Sequence, residues 1–542
     1  MPFASLRTFA LALAATALAC TAGGSSSSPP TCPPCPLGSS CDPGTHSCVS
    51  ACAAAATARL SSGCDFWAVN LETSTPDGCF AVVVANASPV FAHLEVEYAS
   101  SAMDPSRFTF VPEGLGSTLS FSPYQVTTGL APGTSAVLFL AGASGGASSA
   151  CPAGVTAAVP SGSQLAGTGK GRAFHLTSDV PVAAYQANPW AAASGITGST
   201  LLLPTAVWGS SYLAATGGPP STGSPALAVV AQADGTHVTL RPSAAIAGGV
   251  GVPASAAGTP TTITLGRGEY LQLSQNADLT GSLLAADAPV GLFGSSSCAQ
   301  VPVGTSYCDH VELMLPPVNA LASAYAAVPF RPRLAGDVAR WRLLGVTDGT
   351  VLAYAPAAPA GAPLTLNQGQ EVDFATSTAF TVQSQDPAHP FLLLLEMSGS
   401  AALATPGYGD PEPVPVTPPA QFVTDASFSV NPTFPEADLV VVRAKDGLGV
   451  FRDVTLDCAG ALGGWTTVGD YQWTRVDLVT GDFSRQGACG AGWNHASSAG
   501  PFGLTVWGWT TPLAPSVSSA SASYAVQAGA KMATLNSVVI TP

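Results

Sequence analysis

From Phe80 onward, apolar residues fall in short β-branched or alternating runs separated by Gly, Pro, Asp and Asn. That pattern predicts an all-β chain, because strands need apolar stretches of a few residues bounded by turn formers. Helical periodicity sustained over several turns is scarce. The stretch to test for a helix is 317–327, which is alanine-rich but flanked by prolines.

The runs recur in a fixed order. The first element is an apolar strand ending in a turn, at 81–86, 226–235, 341–349 and 438–447, the last three closing on Asp-Gly. Asp-Gly between strands predicts a type I′ hairpin, in which both central residues take positive φ. The second is a glycine turn leading into an alternating strand, at 131–139, 266–273 and 367–374. The third closes each unit and carries Pro181, Pro289, Pro390 or Pro501, in steps of 108, 101 and 111 residues. Proline has no N–H for the ladder, so an edge or the first strand position is expected for it. Between units, Leu201-Leu-Leu-Pro204 followed by Tyr212 is echoed by Leu313-Met-Leu-Pro316 followed by Tyr325, and a degenerate third copy begins at Pro415.

The repeat divides 61–540 into units of about 100 residues, near 80–200, 201–312, 313–414 and 415–540. The expected architecture is a tandem array of β-sandwich-like units, each with its own core. The alternative is a ring of large propeller-like blades. A small disulfide-rich segment, 32–60, precedes the repeats.

Composition narrows the function. Charged residues are 9% of the chain, against about 25% in an average soluble domain. The net charge is -15 and the only lysines are Lys170, Lys445 and Lys531, which excludes nucleic-acid binding through a basic surface. With 47% hydrophobic residues the chain can pack a core, so the shortage of charge does not mean disorder.

Residues 1–19 read as an export signal: Arg7 is the positive charge, 9–18 the apolar stretch, and Ala17-Leu18-Ala19 the small residues a signal peptidase reads. The apolar stretch is shorter than the about 20 residues a permanent span needs. Because Cys20 follows, the segment resembles a bacterial lipoprotein signal. That resemblance implies acylation of Cys20 and anchoring at the outer membrane or cell surface, with secretion after Ala19 as the alternative. Residues 20–31, rich in Ser and Pro, would be a tether. Later segments lack a membrane-spanning pattern: 114–169 is free of Asp, Glu, Lys and Arg but is broken repeatedly by Gly, Ser and Pro.

Thirteen cysteines less Cys20 leave twelve, enough for six disulfides, as suits an exported chain. Cys32, Cys35, Cys41, Cys48 and Cys52 crowd a segment with too few large apolar side chains to form a core, so cross-links must hold it. A zinc knuckle using Cys32-x-x-Cys35 and His46 is the rival, disfavoured because no second C-x-x-C exists. Spacing suggests local pairs Cys64/Cys79, Cys298/Cys308 and Cys458/Cys489, leaving Cys151 to a partner in the N-terminal cluster.

Few residues invite chemistry. Gly142-Ala-Ser-Gly-Gly146 matches the hydrolase elbow in letters, but no helix pattern follows to expose the serine. Asp309, His310 and Glu312 form a conceivable metal or catalytic patch, since His310 and Glu312 share one strand face and Asp309 could swing in from the turn. The competing reading is a disulfide-pinned loop with hydrogen-bonded side chains. His175 and His495 each stand ahead of a closing strand and read as a repeated structural contact. Trp507 and Trp509 lie on one strand face and could stack on sugar rings if exposed, or pack in the core. No cofactor motif is present.

Gly63-Cys-Asp-Phe-Trp67, His175-Leu-Thr-Ser-Asp-Val-Pro-Val182, Tyr307-Cys-Asp-His-Val-Glu312 and Leu313-Met-Leu-Pro-Pro317 occur in an order that resembles a known family. His495, Gly500-Pro-Phe-Gly-Leu504, Ser523-Tyr524 and Gly529 extend it to about residue 540. The family is the N-terminal domain of the IgG Fc-binding protein, common among myxobacterial surface lipoproteins. The resemblance implies binding, although nothing in these residues marks an Fc site. The expectation is therefore an exported, membrane-anchored binding or adhesion protein without catalysis, its partner an extracellular protein or glycan. The alternatives are an exported hydrolase or metal-dependent enzyme using the Asp309/His310/Glu312 patch, and a purely structural envelope component.

Overall fold

The computed structural model describes residues 34–36, 38–42, 47–143, 148–517 and 521–542. The export signal, Cys20, the tether, Cys32, His46 and Ser144 of the elbow-like match lie outside the described residues.

Four all-β units follow the disulfide-rich segment. The first contains β1 (Phe80–Asn86), β2 (Ser135–Ala141), β3 (Phe174–Ala187) and β4 (Ser199–Leu201). The second contains β5 (Pro225–Ala231), β6 (Glu269–Ser274), β7 (Leu283–Ala299) and β8 (Asp309–Leu315). The third contains β9 (Arg340–Gly345), β10 (Glu371–Ala375), β11 (Phe391–Met397) and β12 (Glu412–Pro415). The fourth contains β13 (Glu436–Arg443), β14 (Tyr471–Thr480), β15 (Gly492–Trp509) and β16 (Ser523–Gln527). In every unit the antiparallel order is second, first, third, fourth, as in β2-β1-β3-β4. β14 supplies the fourth unit with the alternating strand that the glycine-turn pattern left unmarked.

The units are repeated sheets curled into half-barrels, and the proline of the third element is where they bend. Proline does not sit at a strand start in three units. β3 runs through Pro181, β7 through Pro289 and β15 through Pro501, whereas Pro390 directly precedes β11. Before Pro181, β3 pairs with 65–68 and Leu94–Tyr98; from Val182, which also meets Gly63, β3 pairs with β1, and β4 joins from Tyr185 onward. A residue without an N–H interrupts the ladder, and the strand changes partners there.

The four last strands meet at the centre. β4 packs on β8, β8 on β12, β12 on β16, and β16 returns to β4. The units therefore sit as the ring reading describes, and their cores are shared between neighbours. Along β13, Leu439 and Val441 enter a core built with the first unit, while Val440 and Val442 enter one built with the third. Along β11, Leu392 and Leu394 join the second unit's core, and Leu393 and Leu395 the third's. Successive strand residues point to opposite faces. A stretch of sheet walling off two cores is therefore apolar on both faces, which is why Leu439–Val442 and Leu392–Leu395 read as unbroken apolar runs. The unit limits at 312/313 and 414/415 fall inside β8 and β12. Gly169–Arg172, counted in the first unit, pairs with β6 of the second.

Two local details are open in the sequence: the stretch at 317–327 and the type of the Asp-Gly turns. Residues 317–327 form a short 3-10 turn (Val318–Ala320) and a strand (Ala324–Ala327), because Tyr325 is tied down: its hydroxyl donates to the Phe391 carbonyl at 2.7 Å. Tyr212 does the same to Val290 at 2.6 Å, so the repeated tyrosine holds the residue after each closing proline. The Asp-Gly turns are not type I′: Gly235 and Gly349 take positive φ, but Asp234 and Asp348 do not. Instead the Asp234 and Asp348 carboxylates accept from the Arg267 and Gln368 amides of the neighbouring glycine turn, at 2.8 and 2.9 Å.

Between described residues the disulfides are Cys35–Cys48, Cys52–Cys64, Cys79–Cys151, Cys298–Cys308 and Cys458–Cys489. Cys64 thus bonds to Cys52 rather than Cys79, stapling the helix Ala51–Thr57 to Gly63–Ala68, and Cys79 takes Cys151. Nearness in sequence is a poor guide here, because β1 and β2 are adjacent in the sheet despite their long separation. Among the described residues no helix is long and apolar enough to cross a membrane.

Candidate functional site

The residues singled out for chemistry lie where the four inner strands converge. Asp309, His310 and Glu312 are all on β8 and fully buried. Strand alternation puts His310 and Glu312 on one face, as expected. His310 Nδ1 lies 3.0 Å from the Ser296 carbonyl, and Nε2 lies 3.5 Å from Glu312 Oε2. Gln186 of β3 donates to the same Oε2 at 2.8 Å, its own Oε1 held by the Val69 amide at 3.1 Å. Asp309 does not swing in to join them. Its Oδ2 is 3.4 Å from the Ser523 amide of β16. In place of an open patch there is a buried junction beside the Cys298–Cys308 bond, with Asp309 and His310 held to backbone groups.

Two carboxyls that sequence reasoning missed complete this junction. Glu412 of β12 accepts from the Ser199 amide of β4 at 3.3 Å and the Ala525 amide of β16 at 3.2 Å, touching two other units at once. Asp410 accepts from Ser400 at 2.9 Å. Burial pushes Asp309 well above the usual carboxyl range, and the neighbouring Asp410 and Glu412 push it further. Glu412 is likewise raised by burial and by Glu312, and burial takes Asp410 up to about 7. Two acids amid prolines (Asp-Pro-Glu-Pro, 410–413) in a charge-poor chain were the available signal.

Trp507 and Trp509 are buried, not presented to sugar rings. Trp507 packs on Phe330 at 4.9 Å between ring centres, and the Arg331 guanidinium caps Trp509 at 4.8 Å. Both tryptophans belong to the core shared by the third and fourth units. His175 and His495 do occupy one repeated position, six residues before Pro181 and Pro501. His175 sits between Asp65 (3.0 Å) and Glu97 (3.7 Å) with Trp67 stacked at 4.3 Å. His495 sits between Asp425 (2.9 Å) and Asp457 (3.2 Å) with Trp493 stacked at 5.8 Å. Each imidazole clasps strands on both sides of a closing strand.

Among the described residues no group of three or more His, Cys, Asp or Glu is placed to hold a metal ion. Space for a ligand lies outside the ring centre, in a groove of about 710 Å³ walled by Ala51, Leu60, Pro181, Asp425 and Lys531. It runs between the disulfide-rich segment and the first and fourth units.

The family model described as IgGFc binding protein matches residues 198–508, which is 311 of the 542 residues. The chain belongs to the IgGFc-binding-protein family. No curated protein and no solved structure matches the chain. Within this family member the matched span begins just before β4 and ends one residue before β15 does, so it covers the second and third units whole.

Proposed function

We propose that the chain is an exported, non-catalytic binding or adhesion protein, held at the outer membrane or cell surface through an acylated Cys20. The membership of a binding-protein family carries this reading. The interior supports it: Asp309, His310 and Glu312 are spent at the junction of the units, and the disulfides between described residues brace the scaffold. A rigid ring with a surface poor in charge suits recognition of an extracellular protein or glycan by shape and backbone contacts. The test is ligand capture with the mature chain, on a glycan array and by pull-down, with immunoglobulin Fc included. Reproducible, saturable capture supports the reading. If the chain instead hydrolyses a substrate, and His310→Gln with Glu312→Gln abolishes that turnover without lowering stability, the enzyme alternative replaces it. Mass spectrometry of the mature N-terminus decides anchoring, and an unmodified Cys20 ends the lipoprotein reading.

A further inference from the structure

The centre of the ring poses a problem of charge. Asp309, Glu312, Asp410 and Glu412 are all fully buried, and they come from the second and third units into a junction shared with the first and fourth. One oxygen of each carboxyl (Asp309 Oδ1, Glu312 Oε1, Asp410 Oδ2 and Glu412 Oε2) has no hydrogen-bond partner among the described residues. The buried hydroxyls of Ser295 and Ser296 on β7 are in the same condition, and Ser295 stands directly across the ladder from Glu312.

The charged and titratable groups around the junction are few. Glu312 has His310 beside it, with the imidazole Nε2 3.5 Å from Glu312 Oε2 and Nδ1 3.0 Å from the Ser296 carbonyl. Asp410 feels Arg333. Asp309 is faced by Asp410 and Glu412, and Glu412 by Glu312; among the described residues neither Asp309 nor Glu412 forms an ion pair with a cation. β4 brings no titratable side chain. On β16 the one such group, Tyr524, turns its hydroxyl to the Asn431 amide. On β11, Glu396 is paired with Arg342, and on β7 Cys298 is in a disulfide.

An ionised carboxylate without a cation in a water-excluded interior is far costlier than a neutral acid, so the group keeps its proton instead. We propose that the ring is clasped by carboxylic acids rather than carboxylates: Asp309 and Glu412 stay protonated in the closed ring, and losing those protons loosens the junction of the four units. Burial acting on both groups supports this. A carboxyl whose folded value is raised contributes stability that is fully present below its unfolded value, near 4, and is lost as pH rises through the folded value. Across that window, each carboxyl that holds its proton makes the folding constant fall about tenfold per pH unit.

The test compares the full chain with D309N/E412Q, in which amides mimic the protonated acids, by denaturant unfolding from pH 5 to pH 9. The expected result is a lead of the double variant that is already present at pH 5 and widens as pH rises, by up to about a hundredfold per pH unit while both carboxyls hold their protons. Parallel profiles overturn the proposal. Should the variant fail to fold, infrared spectra of the wild-type chain decide. A carboxylic-acid carbonyl band that persists at pH 8 in the folded chain and vanishes on unfolding supports the clasp, and its absence at pH 8 overturns it.

Discussion

Replacing Arg342 with Met removes the cation that ties the second unit to the third. Arg342, on β9, is 1% exposed; its Nε lies 2.8 Å from Glu371 and its Nη2 3.3 Å from Glu396, while Nη1 donates to the Thr216 carbonyl at 3.0 Å. Met preserves most of the stem's packing, so the loss is electrostatic. Glu371 and Asp373 have side chains 22% and 43% exposed and can turn to water, costing at most ~1 kcal/mol each. Glu396 cannot: its side chain is 6% exposed and would be left without its cation. Stripping one partner from a buried pair costs ~3–5 kcal/mol, and that range sets the expected destabilisation near pH 8. Burial already raises Glu396, with Arg342 opposing it. Without the arginine Glu396 rises further, and its share of stability is present at acidic pH and lost as pH climbs. The deficit should therefore shrink at pH 5. Adding Glu396→Gln should recover at least half of the loss at pH 8. Urea midpoints followed by tryptophan fluorescence, with Trp341 next in sequence, measure both effects. A R342M loss below ~1 kcal/mol, or no recovery in R342M/E396Q, refutes the reasoning.

Trp507→Ala should cost ~3–5 kcal/mol through the cavity it opens beside Phe330, and leave any ligand capture intact in the folded fraction; loss of capture at unchanged stability would restore the sugar-stacking role. Cys79→Ser with Cys151→Ser should cost ~2–5 kcal/mol, read by thermal unfolding against a Cys35→Ser/Cys48→Ser control confined to the N-terminal segment. A smaller loss than the control would contradict its bracing of β1 and β2. His495 is raised by Asp425 and Asp457 against the opposing effect of burial. Its contribution is thus full below the ordinary histidine value and lost as pH rises through the higher folded one. His495→Gln should lower stability at pH 5 by less than ~1 kcal/mol and leave it unchanged at pH 9, and an equal effect at both pH values would contradict the ion-pair account.

The recurrence of three elements, their spacing and the all-β class were legible in the chain, because strand length, turn residues and a proline every hundred or so positions are local properties. So was the kinship of His310 with Glu312, since two residues apart on a strand means one face. The sharing of cores was written there too, in runs such as Leu439–Val442 of β13 that are apolar at every position, but no residue says which neighbour covers the second face. Ring closure decided that, and with it everything non-local. It drew Asp410 and Glu412 to Asp309 across units and put Trp507 and Trp509 in a shared core, while the pairing of β1 with β2 inside the first unit gave Cys79 to Cys151. Pattern along a strand records how many faces are buried. Only the return of β16 to β4 settles what they are buried against, because that contact joins residues some three hundred positions apart whose meeting no local preference encodes.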